Sequence, residues 1–158
     1  MGRRVPGSVC APSAGALGLS RIFWDTNLFI YLIEDFGTLS DRVAELRQRM
    51  LARKDELYTS TLTLGEVLVK PVEAGDRSLQ EAYESALAAG AVVVPFDRSA
   101  ARRYAAIRAD RSIRAPDAVQ LACAGEAAVD LFITNDDRLS RKIVPGVQFL
   151  TSLEGALL

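Results

Sequence analysis

Residues 21–35 read RIFWDTNLFIYLIED, an apolar run that stops at Asp25-Thr26-Asn27 and is followed at once by a second apolar run. Ile22, Phe23 and Trp24 are too few for a helix and read as a short buried strand. Asp25 then stands where that strand leaves the sheet, with its carboxylate at the carboxyl edge, where open α/β sheets bind ligands. Leu28 to Ile33 is apolar on every side, so periodicity alone does not separate helix from strand. The capping residues just before it favour a buried helix. A lone Asp here would ordinarily be a helix cap; its meaning depends on where the other acids fall.

The composition narrows the chemistry. A chain of 158 residues, 49% apolar and 25% charged, fits one globular domain with a core of its own. No apolar run approaches the length of a membrane span. Cys10 and Cys123 give neither zinc spacing nor a disulfide framework, which fits a reducing cytoplasm. There is no histidine. Ser-His-Asp and Cys-His arrangements are therefore excluded, and hydrolysis would have to rest on carboxylates, whose oxygens favour magnesium or manganese. The net charge of −1 argues against bulk attraction to nucleic acid but leaves room for a local basic patch.

Residues 1–20 are rich in Gly, Pro, Ser and Ala and read as a disordered leader, or as a start assigned too far upstream. Arg3 and Arg4 lack the hydrophobic region that would make an export signal. Residues 21–158 form the expected domain. Ser40 to Lys54 predicts an amphipathic helix, Leu57 to Thr59 a strand, and Thr61 to Lys70 a helix ended by Pro71. Ser78-Leu79-Gln80-Glu81 has the form of a capping box for a helix that stops at Gly90. Ala91 to Phe96 is a β-branched strand in which Pro95 suggests an edge or a strand end, and Asp97 caps the helix after it. Pro116 opens a helix of small residues that carries Asp117 in its first turn. Leu131 to Ile133 is a strand leaving through Thr134-Asn135-Asp136-Asp137, and Val147 to Leu150 is the last strand. Alternating strands and helices imply a three-layer α/β/α sandwich around a central parallel sheet.

In that arrangement Asp25 and Asp136 end strands at one edge, while Glu66 and Asp117 lie near the starts of helices facing the same edge. Crowded like charges need a cation among them. Asp25, Asp117 and Asp136 are the candidate ligands of Mg2+ or Mn2+, and Glu66 either joins them or positions a water. Thr134 and Thr26 are expected to orient carboxylates or a phosphate, with Asn27 in a supporting role. Arg98, Arg102, Arg103, Arg108, Arg111 and Arg114 precede Asp117, and Arg138, Arg141 and Lys142 follow Asp136. A solvated helix face would look the same, but next to a metal cluster Arg111, Arg114, Arg138, Arg141 and Lys142 read as contacts for an RNA backbone.

WDTN at 24–27, GEVL around Glu66, APDAVQLACA from 115 and ITNDD from 133 together resemble the ordered motifs of the PIN-domain ribonucleases, over roughly residues 21–150. The likeness is greatest to the VapC toxins of VapBC toxin–antitoxin pairs. It implies a PIN-like fold, an acidic quartet of Asp25, Glu66, Asp117 and Asp136, and magnesium- or manganese-dependent endonucleolytic cleavage of RNA. It also implies a homodimer and a cognate antitoxin that occupies the cleft. Gln120 departs from the pattern, standing where many members carry His. Two rivals are weighed against this. An aspartate-nucleophile phosphatase would want an acid two residues after Asp25, where the chain has Asn27, and a phosphoaspartate receiver leaves Glu66 and Asp117 unexplained. A non-catalytic RNA- or partner-binding module would keep the cleft without turnover.

Overall fold

The computed structural model describes residues 20–156, so the expected leader lies outside the described residues apart from Ser20. Its sheet has five parallel strands in the order β3-β2-β1-β4-β5: β1 (Arg21–Trp24), β2 (Glu56–Ser60), β3 (Val92–Val94), β4 (Leu131–Thr134) and β5 (Leu150–Ser152). The helices between them are α1 (Thr26–Ile33), α2 (Thr38–Arg53), α3 (Thr61–Glu73), α4 (Arg77–Gly90), α5 (Arg98–Ile107), α6 (Ala115–Glu126) and α7 (Asp137–Ser140).

The alternation of side chains along β1 sets the three layers. Ile22 and Trp24 face one side and are buried with Leu28, Val43, Met50, Val67, Tyr83 and Leu87 of α1 to α4. Phe23 faces the other, packed with Ala100 and Ile107 of α5 and with Ala118, Leu121 and Ala122 of α6. Phe23 pairs with Phe132 across the β1–β4 ladder, and their rings stack with centroids 5.0 Å apart. The small residues of α6 let it lie close on this face, as its composition predicts.

The chain winds outwards from β1 to β2 and β3, then returns to the other side of β1 for β4 and β5. The order therefore reverses between β1 and β4, and the carboxyl ends of those two strands flank the switch point. A bond from the Asp25 amide to Ile133 O carries the ladder one residue beyond β1.

Several boundaries differ from the sequence reading, among them β3, which ends at Val94 ahead of Pro95 because proline has no amide to give the ladder. Helix α3 continues through Pro71 to Glu73, because a proline in the last turn forfeits one helical bond and the turn still closes through Ala74 N to Lys70 O. Helix α4 is capped by Asp76, which accepts from Leu79 N, so the Ser78 box lies inside the helix rather than at its start. The last strand forms at Leu150–Ser152, since Phe149 O accepts from Phe132 N and sets the register there. Strand β3 is an edge strand, and Asp97 caps α5 through Ala100 N, as expected.

Candidate active site

Asp25 follows the last residue of β1 and uses both of its carboxylate oxygens. It caps α1, accepting from Thr26 N through Oδ1 at 2.8 Å. Its other oxygen, Oδ2, accepts from the buried hydroxyl of Thr134 at 2.9 Å. Burial pushes its pKa up to about 6, the two hydrogen bonds oppose the shift, and the charges of Asp117 and Glu66 add to it. Thr134 also accepts from Asp136 N at 3.1 Å, so one hydroxyl at the end of β4 ties the two strand-exit acids together.

Asp136 divides its carboxylate. Oδ1 caps α7 through Arg138 N and Leu139 N, and Oδ2 faces the Arg114 guanidinium at 3.4 Å. Asp117, in the first turn of α6, meets the same guanidinium at 3.3 Å through Oδ2. Glu66 is exposed in the middle of α3 rather than near its start. Its Oε1 accepts from the Thr26 hydroxyl at 3.3 Å, and partial desolvation of the carboxyl, with the charge of Asp117, raises its pKa.

A cleft of about 540 Å³ opens between these groups. Asp25, Thr26, Asn27, Glu66, Asp117 and Asp136 line it, together with Arg114, Gln120, Asp137 and Arg138. Lys142 lines a smaller adjoining cavity of about 100 Å³ and pairs with Ser112 and Asp110. Arg111 and Arg141 are exposed and line neither cavity. Arg103 is tied to Glu126 and Arg108 to Ile113 O, so both are structural members of the basic run.

The donor chemistry suits a hard divalent cation: every acidic group in the cleft offers carboxylate oxygen, and none is nitrogen or sulfur. As placed, no group of three His, Cys, Asp or Glu among the described residues converges closely enough to hold one ion together. Arg114 supplies the positive charge between Asp117 and Asp136. Its side chain is 65% exposed, which leaves it free to swing out of the mouth of the cleft.

The group that the sequence reading underrated is Gln120. It is 1% exposed on α6 and bonds to Ser60, Thr26 and Thr63. An uncharged amide among the apolar residues of a buried helix was the available signal, since a buried amide must find partners.

The family model of the PIN domain matches residues 22–143, and the chain belongs to that family. The solved structures it resembles share the fold. A chain of the Rickettsia felis VapBC2 complex bound to a promoter DNA fragment superposes with a TM-score of 0.67 at 14% identity, covering 84% of this chain and 98% of that one. A chain of the DNA-bound VapBC of Salmonella typhimurium gives 0.61 at 20% identity, with 85% and 98% covered. A chain of a Klebsiella pneumoniae toxin–antitoxin complex gives 0.60 at 23% identity, with 80% and 94% covered. Comparison with curated proteins returns no match. Among the described residues, no helix is long and apolar enough to cross a membrane.

Proposed function

We propose that this chain is a magnesium- or manganese-dependent endoribonuclease and the toxin of a toxin–antitoxin pair. The observation that carries the reading is the meeting of Asp25, Glu66, Asp117 and Asp136 in one cleft at the switch point of the sheet. Four carboxylates in a chain without histidine suit metal-assisted hydrolysis better than any nucleophile-and-base pair.

Asp25, Asp117 and Asp136 would hold the ion, the last two exchanging the Arg114 guanidinium for it. The ion would supply the positive centre that offsets the acids' repulsion and lowers the pKa of a nearby water. Thr134 keeps Asp25 and the Asp136 backbone in fixed relation. Glu66 either completes the ligand set or orients the attacking water. Arg114 and Arg138, at the rim, would grip phosphates of the RNA. Asn27, on the exposed start of α1, faces the same space as a supporting contact.

Similarity to chains of toxin–antitoxin complexes supports a cognate antitoxin as partner. Homodimer formation and a cytoplasmic location belong to the same reading, as does a single nuclease domain over residues 21–158. The test is incubation of the purified protein with total RNA, with Mg2+ or with EDTA, beside Asp25→Asn and Asp117→Asn. Shortened RNA only in the wild type with metal is expected; cleavage that survives chelation or both substitutions would remove the mechanism.

A further inference from the structure

Behind the cleft lies a knot of buried hydroxyls drawn from three elements: Thr26 of α1, Thr59 and Ser60 of β2 and Thr63 of α3, with the Gln120 amide of α6 at its centre. Gln120 Oε1 accepts from Ser60 at 2.5 Å, which fixes the orientation of the amide. Both hydrogens of its nitrogen are then committed, one to Thr63 Oγ1 at 2.7 Å and one to Thr26 Oγ1 at 2.9 Å.

The remaining hydrogens follow by counting. A hydroxyl has one hydrogen to give and two lone pairs. Thr59 shares its one hydrogen between Thr63 at 2.9 Å and Trp24 O at 3.1 Å in a three-centre bond, so Thr63 accepts from both Thr59 and Gln120. Thr63 must therefore donate, and Thr26 Oγ1 receives it at 3.2 Å. Thr26 in turn accepts from Gln120 and Thr63, which leaves its own hydrogen for Glu66 Oε1 at 3.3 Å. The line of donors from Gln120 and Thr63 through Thr26 therefore ends on one carboxylate.

We propose that Gln120 is a positioning residue: through Thr26 it delivers a fixed hydroxyl donor to Glu66 and so holds that carboxylate in place at the edge of the cleft. Its kinetic consequence rests on the nuclease reading; the wiring itself does not. The buried amide provides two donors and one acceptor on one side chain, which a methionine lacks and a glutamate reverses.

The test uses the full chain with Gln120→Met, Gln120→Glu, Thr26→Val and the Gln120→Met/Thr26→Val double variant, each checked for folding by circular dichroism. Gln120→Glu keeps the size of the side chain if Gln120→Met does not fold. In the RNA-free protein at pH 8, the 13C carboxyl resonance of Glu66 is expected to move alike in all of them, with no further change in the double variant. In cleavage assays kcat is expected to fall by about 10–100-fold with KM for RNA nearly unchanged. The double variant should be no slower than the worse single one, whereas a merely structural role would multiply the losses. An unmoved Glu66 resonance in a folded Gln120 variant, or multiplied losses, overturns the proposal. If the wild type leaves RNA intact, the nuclease reading falls and the resonance alone judges the wiring.

Discussion

Arg114 Nη2 stands 3.4 Å from Asp136 Oδ2, and the same guanidinium reaches Asp117, so one side chain spans two of the acids proposed to hold the metal. A divalent ion and this guanidinium compete for the same oxygens. Removing the guanidinium in Arg114→Ala should tighten Mn2+ binding by about two- to tenfold, a modest factor because exposed pairs are weak. The same variant should bind RNA less tightly. Calorimetry with Mn2+ and filter binding with RNA read the two effects separately; weaker Mn2+ binding would show that Arg114 supports the acids rather than competing for them.

Asp25 links the site to stability. Burial raises its folded pKa to about 6, above the ordinary aspartate value of 3.8, so the folded chain takes up a proton in that window and the unfolded chain does not. Stability of the metal-free protein should therefore be greatest below the window and decline as pH rises through it, by about 3 kcal/mol from this group when fully ionised. Asp25→Asn should remove that decline, and urea unfolding between pH 4 and pH 8 measures it. Saturating Mg2+ should also abolish the decline in the wild type, because the ion favours the ionised carboxylate.

Thr134 serves both strand-exit acids, donating to Asp25 Oδ2 and accepting from Asp136 N. Thr134→Val keeps the shape and deletes both bonds. The expected result is a loss of about 10–100-fold in metal affinity or cleavage rate. Stability at pH 8 should fall by about 1–3 kcal/mol, since an ionised, partly buried carboxylate loses a donor. A variant that cuts RNA as fast as wild type would exclude Thr134 from the site.

The basic residues divide by position. Arg138 lines the cleft, whereas Arg111 and Arg141 lie outside both cavities. Arg138→Ala should weaken RNA binding and reduce the slope of log affinity against log salt by about one. Arg111→Ala and Arg141→Ala should leave that slope close to the wild-type value. Equal effects from all three would mean that RNA spreads over the surface instead of following the cleft.

Much of this was legible because apolar runs as short as Ile22–Trp24 and Leu131–Ile133 are too few for a helix and read as strands, the first followed at once by Asp25 and the second, after Thr134 and Asn135, by Asp136. Alternation of strands and helices then put Asp25 and Asp136 at one edge. Pro71 misled because proline disrupts a helix interior but costs little in a last turn, and only the tertiary setting says which turn it occupies. Ser78 reads as the cap in place of Asp76 because the two lie two residues apart at the start of one helix and both are capping residue types. Arg114 read as a phosphate contact, since pairing across 22 residues to Asp136 is invisible before the sheet assembles. Gln120 was seen as a departure from a pattern, yet its partners lie on β2, α1 and α3, about 57 to 94 residues earlier.

Strand β4 enters the sheet beside β1 only after the chain has laid down three strands and six helices, and it carries Thr134 and introduces Asp136. A nascent polypeptide still short of residue 131 thus lacks the partner that Asp25 leans on, whatever else has folded. Closure of the acidic cleft is a late event on the vectorial path of synthesis, waiting on a strand that is among the last of the described elements to emerge.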